Sequence, residues 1–165
     1  MAIVSRITTC LWYASEAEEA AKFYTSIFPN SSIGKMAYYG KEGFEFHHQP
    51  EGSVMTVTFD LDGSEFLAMN AGPMFKFNES TSFMVRCKDQ SEIDYYWNKL
   101  TSEGGKESMC GWLKDKYGLS WQVIYDKWDE MVIDPDKEKV GRVLSSLYKM
   151  RKPDLAELKR AFNGE

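Results

Sequence analysis

The sequence predicts an α+β chain, a tandem βαβββ repeat forming a curved mixed sheet with a C-terminal helical tail. Three observations carry that expectation. An apolar stripe at helical spacing, Ala20, Phe23, Tyr24 and Ile27, returns position for position 73 residues later as Ile93, Tyr96, Trp97 and Leu100. Each stripe follows a short β-branched or aromatic run and precedes further short runs parted by turn residues. Beyond Tyr125 the strand-like runs stop, and only helical spacing remains.

Ile7 to Tyr13 reads as the first strand, and Ser15 with Glu18 has capping-box spacing for the helix that follows. Ala20, Phe23, Tyr24, Ile27 and Phe28 give that helix one core-directed face, and Pro29-Asn30 ends it. Ser31 to Tyr39, Val54 to Leu61 and Glu65 to Asn70 follow as three antiparallel strands, separated by Gly40, Gly43, Pro50, Gly52 and the turn pair Asp62-Gly63. The second copy opens on Ser82 to Cys87, repeats the helix start as Asp89 and Glu92, and ends its helix at Gly104-Gly105. Short strands around Glu107 to Cys110, Trp112 to Lys114 and Leu119 to Tyr125 complete it, with Tyr117-Gly118 turning between the last two. The modules are therefore 7–72 and 80–125, expected to pair as one domain, 1–165, with helices outside and a concave face inside. In the tail, 134–163, Asp134-Pro135 places proline at the first helical position before the stripe Val140, Val143, Leu144, Leu147 and Tyr148. A second helix starts near Pro153-Asp154 and carries Leu155, Leu158 and Phe162. Its apolar face needs a cover, from its own body or from another subunit.

Composition narrows the function classes. With 43% hydrophobic and 27% charged residues in 165, the chain can build a core and stay in solution. A formal charge of −5 repels phosphate backbones, so no nucleic-acid partner is expected. No apolar run reaches the roughly 18 residues of a membrane span, and the first ten residues lack a secretory pattern, so the expectation is a cytoplasmic protein without a membrane partner. Cys10, Cys87 and Cys110 contain no Cys-x-x-Cys pair and form neither a disulfide framework nor a zinc knuckle. The 15% aromatic content and nine methionines point to a cavity or an interface.

Several segments resemble the PhnB-like group of the vicinal oxygen chelate (glyoxalase/bleomycin-resistance) superfamily. They are Leu11-Trp12-Tyr13 leading to Ala20-Ala21-Lys22-Phe23-Tyr24, and above all Cys110-Gly111-Trp112-Leu113-Lys114-Asp115-Lys116-Tyr117-Gly118-Leu119-Ser120-Trp121-Gln122-Val123. Asn70-Ala71-Gly72-Pro73, Phe75-Lys76-Phe77-Asn78 and, in the tail, Met150-Arg151-Lys152-Pro153-Asp154 are also similar to that group. Its members are often labelled 3-demethylubiquinone methyltransferase-like. A doubly wound methyltransferase needs a Gly-rich loop after its first strand, and this chain has Ser15 to Glu19 there.

Metal-using members of the superfamily hold a divalent ion with His or Glu from the first and last strands of each repeat. By that resemblance the first-strand positions fall at or near Thr8, and near Ser80 or Thr81 in the second copy. The last-strand positions fall at Gln122 and in the window Ala68 to Asn70. None offers an imidazole or carboxylate, and His47 and His48 are adjacent, so they point apart on an extended strand. No metal and no cofactor are expected. Gln122 faces inward by family position, Trp121 outward, and Asn70 and Thr8 add neutral hydrogen-bonding groups. Trp12, Phe59, Met69, Phe77 and Trp112 are candidate apolar walls, with Cys110 beside them as a small strand residue lacking an activating histidine. Asp115 is expected to cap its own turn.

Two functions follow, and a third stays open. The first is a metal-free protein that binds a small-molecule ligand in the sheet cup, as a homodimer. The alternative is an enzyme of the superfamily (lyase, isomerase, dioxygenase or the labelled methyltransferase) acting on a small aromatic or oxygenated substrate. The third is a partner-binding protein that works through its tail.

Overall fold

The computed structural model describes residues 6–165, which divide into two units, one running to Lys76 and the other from Phe77 onward. In the first, β1 (Thr9–Tyr13) runs parallel to β4 (Ser64–Asn70), which pairs antiparallel with β3 (Val54–Leu61), which pairs with β2 (Ser32–Tyr38). The helix α1 (Ala17–Ile27) packs on one face. Leu11 and Tyr13, Val57, Phe59 and Leu61, and Phe66 and Ala68 alternate toward it and are buried. The central strand matches its expected bounds, whereas the first begins two residues later than the hydrophobic run suggests, because Ile7 and Thr8 lie exposed before the ladder starts.

Ser15 does not cap α1. Its N-terminus has no cap from its own neighbours, and the Asn70 side chain of β4 instead accepts a hydrogen bond from the Ala17 amide at 2.8 Å. One turn of helix, α2 (Phe44–His47), stands between β2 and β3 where only a loop is expected. It is too short to show a period and is closed at both ends by left-handed residues, Gly43 and His48. His47 is thus helical; its Nδ1 accepts from the Gln49 amide at 2.9 Å, and its ring lies 4.5 Å from that of Tyr39.

The second unit repeats the plan with less strand. Its helix α3 (Gln90–Leu100) is α1 displaced by 73 residues, and Asp89 caps it as expected, accepting from the Glu92 amide at 2.9 Å. β5 (Ser82–Cys87) runs parallel to β8 (Ser120–Tyr125), followed outward by β7 (Trp112–Lys114) and a two-residue β6 (Lys106–Glu107). Ile93, Trp97 and Leu100 of α3 bury themselves against Val85, Cys87, Leu113, Trp121 and Val123. Each repeat therefore builds its own four-stranded sheet.

After β8 come α4 (Trp128–Val132), α5 (Lys137–Leu147) and α6 (Leu155–Asn163). The first of these is too short to announce itself by periodicity. α5 begins two residues after Pro135, since Asp136 is its cap and accepts from the Glu138 and Lys139 amides. Val143, Leu147, Leu155 and Leu158 of the tail are buried within its own unit, whereas Tyr148, the last residue of the expected stripe, is exposed. Gln90 accepts from the Leu155 amide and donates to the Pro153 carbonyl, Lys152 pairs with Asp94 at 2.6 Å, and the Lys159 ammonium lies 5.1 Å from the Tyr125 ring. All these contacts fall on the α3 side of the sheet. Among the described residues, no helix is long and apolar enough to cross a membrane.

Candidate functional site

Strand alternation decides which expected site residues can meet a ligand. In the first unit Trp12 and Met69 are register partners on the face turned away from α1, joined there by Cys10, Thr56 and Leu67. The Trp12 indole donates to the Gly72 carbonyl at 2.8 Å, and Phe75 meets its ring edge-on at 4.9 Å. Thr8 precedes the strand, is exposed, and donates to Glu65 at 3.0 Å.

Phe59 and Asn70 belong to the opposite face. Phe59, 2% exposed, stacks between Tyr24 of α1 and Phe66, so it is core and not a cup wall. Asn70 is spent on structure: besides capping α1, its amide donates to the Val54 carbonyl at 3.0 Å. Its oxygen and nitrogen are both engaged by backbone on the α1 side of the sheet, so the fold holds this amide away from the open face.

In the second unit the open face carries Ser82, Met84, Trp112, Lys114, Ser120 and Gln122. Gln122 faces this side as expected and donates to the Ser82 hydroxyl at 2.8 Å. Ser82, not Ser80 or Thr81, is therefore its neighbour. Both of those are exposed, and Ser80 folds back onto Asn78. The shared parity of Ser80 and Ser82 is the signal that would have pointed to it. Phe77 lies half-buried in the segment before β5.

Cys110 is not a strand residue. It sits in a turn at φ +60°, half-buried, with its amide donated to the Met150 carbonyl at 2.8 Å. The adjacent Gly111 amide donates to the Arg151 carbonyl at 2.8 Å, so the tail holds this turn through its main chain. Asp115 is where the turn chemistry puts it: 3% exposed, it accepts from the Tyr117 and Leu119 amides and from the Trp121 indole at 2.8 Å.

A cavity of about 440 Å³ opens on this same face, lined by Lys106, Trp112, Lys114 and Ser120, with Glu79 at its mouth. Glu79 forms an ion pair with Lys114, and that hydrogen bond, before the contribution of its own backbone, holds its carboxyl below the usual range. The lysines escape the motif-based reading because no local spacing reveals which strands are neighbours.

A divalent ion does not fit the superfamily positions. Gln122, Ser82 and the flanking hydroxyls are neutral donors, whereas such an ion calls for imidazole, thiolate or carboxylate ligands. Among the described residues, no three His, Cys, Asp or Glu side chains gather to hold one.

The 3-demethylubiquinone-9 3-methyltransferase family model matches residues 5–124. The chain belongs to that family. A Bacillus cereus structure described as a putative member, PhnB protein, is 36% identical with a TM-score of 0.63, covering 73% of this chain and 99% of its own. The PhnB-like placement in the vicinal oxygen chelate superfamily stands on that family match. Protein PA1353 from Pseudomonas aeruginosa is 18% identical with a TM-score of 0.58, over 74% of this chain and 98% of its own. The fosfomycin resistance protein FosX from Listeria monocytogenes, solved with Mn(II) and sulfate, is 11% identical with a TM-score of 0.51, over 79% and 97%. These two share the fold. No curated protein matches. The family match ends at residue 124, so α4 to α6, Met150 to Asp154 included, lie outside it.

Proposed function

We propose that the protein binds a small molecule on the open face of its second sheet, without a metal or cofactor, as a cytoplasmic homodimer. One observation carries the reading: a cavity with the Trp112 ring as a wall opens on the face away from α3, and the polar pair Gln122 and Ser82 lies beside it, as the register partners of Trp112 and Ser120. A concave site with an aromatic wall and a few convergent polar groups is the ordinary form of a small-molecule pocket. Trp12 and Met69 form the corresponding open face of the first unit.

The methyl transfer in the family's description is not part of this reading. The link from β1 to α1 is Ala14-Ser15-Glu16, without the glycines that let backbone approach a nucleotide-like cofactor, and α1 takes its cap from Asn70. The cavity also lacks a buried acid and base held within reach of one another.

Native mass spectrometry of protein incubated with a metabolite extract tests ligand and assembly together. The expected spectrum is a dimer carrying a non-covalent adduct that Trp112→Ala loses while remaining folded by circular dichroism. A bare polypeptide mass across the extract would refute binding, and a monomer mass would refute the dimer.

A further inference from the structure

We propose that the cavity on the second sheet is an oxyanion seat, and that its ligand is a small aromatic anion, a carboxylate or phosphate carried on a flat ring. This rests on the small-molecule reading above and narrows it to one chemical class.

The argument starts from register. Lys106 of β6 and Lys114 of β7 are direct cross-strand partners, and Lys114 pairs in turn with Ser120 of β8. Strand alternation puts all three on the face away from α3. Like charges directly opposite one another destabilise a sheet unless something neutralises them. Lysines are common on edge strands, where they prevent further strand pairing. That accounts for Lys106, which lies on the edge, and not for Lys114, which lies on an interior strand.

The neutralising groups are few. Glu79 pairs with Lys114 from an exposed position in the segment before β5, with 64% of its side chain accessible. Among the described residues, Lys106 has no ion pair. Glu107 borders the cavity but points to the other face, where it accepts from the Trp97 indole at 2.8 Å. The seat thus holds two ammonium groups against one displaceable carboxylate. Glu79 shows that an oxyanion fits there: its carboxylate already sits where a ligand's would. A ligand anion that displaces it regains the same charge-assisted hydrogen bond and reaches Lys106 as well.

The rest of the cavity sets the remainder of the ligand. Trp112 supplies an aromatic wall, and among the described residues the hydroxyl of buried Ser120 has one hydrogen-bond partner, the Asn78 carbonyl at 3.5 Å. A ring of benzene size stacks on such a wall while its oxyanion lies between the lysines. A volume of about 440 Å³ admits a single-ring compound with its substituents.

Titration calorimetry on the full chain with benzoate, phenyl phosphate and benzamide tests this, because benzamide keeps the shape of benzoate and removes its charge. The two anions are expected to bind at least about tenfold more tightly than benzamide. Lys106→Met should weaken the anions by about tenfold and leave benzamide unchanged, and Glu79→Gln should strengthen benzoate several-fold by vacating the seat. Circular dichroism confirms that each variant is folded. Benzamide binding as tightly as benzoate would overturn the anion assignment and leave the small-molecule reading intact. So would anion binding that ignores both substitutions, or no binding of the three compounds by a protein that still retains an adduct from extract. Absence of any adduct as well would remove both readings.

Discussion

The two units start from one plan and reach it by different routes. Their helices have the same length and sit 73 residues apart, yet the strands between differ: β2 and β3 have seven and eight residues, β6 and β7 two and three. The first unit is finished from within, its long ladders satisfying the backbone and Asn70 of its own last strand capping α1. The second has lost ladder and gains partners elsewhere, from the buried carboxylate of Asp115 and from tail carbonyls that receive the Cys110 and Gly111 amides. Backbone groups that lose a strand partner must find another, and here a turn carboxylate and an appended tail supply it.

The largest effect that would sharpen this contrast is at Asp115. Asp115→Ala removes the acceptor of two amides and one indole in a buried site, and is expected to cost about 3 to 5 kcal/mol in urea unfolding. Its counterpart Asn70→Ala, which frees one amide and one carbonyl, should cost about 2 kcal/mol. Equal losses would break the comparison. Next come the turn glycines. Gly111 and Gly63 both have positive φ, +82° and +85°, but a Cβ on Gly111 would meet the Val123 carbonyl at 2.5 Å while one on Gly63 meets nothing within 4 Å. Gly111→Ala should therefore cost about 3 kcal/mol and Gly63→Ala about 1 kcal/mol on the same assay.

The smallest effect is alkaline. Burial, with Glu92, Asp89 and Asp126 adding to it, pushes the Cys87 thiol from 9.0 up to about 12. Below pH 9 the thiol is protonated in both folded and unfolded chains, and its contribution is fully present. Above that the unfolded chain releases the proton first, so stability is lost as the pH rises toward about 12. Wild type should lose more melting temperature between about pH 8 and pH 10 than Cys87→Ala does; parallel losses would mean that the thiol is not the titrating group.

What the sequence revealed is what depends on near neighbours. Asp89 and Glu92 announce a helix start, Asp115 announces its turn, and the runs Val54 to Leu61, Ser82 to Cys87 and Trp112 to Lys114 become strands with those bounds. Asn70 misled because its partner is 53 residues away; Ser15 looked sufficient, and only the fold brings a better acceptor. Phe59 misled because both faces of β3 offer large or β-branched residues, so its burial under α1 follows from pairing and not from composition. The Lys106–Lys114 pair is invisible in spacing, since it exists only once β6 and β7 are in register.

The tail's grip on the Cys110–Gly111 turn has a further consequence. It is made with the carbonyl oxygens of Met150 and Arg151, atoms common to every amino acid. The clasp itself is thus indifferent to side-chain identity, and since the Met150 sulfur already accepts the Asp154 amide at 3.4 Å, position 151 is where an engineer could graft a new side chain while the clasp beneath stays fastened.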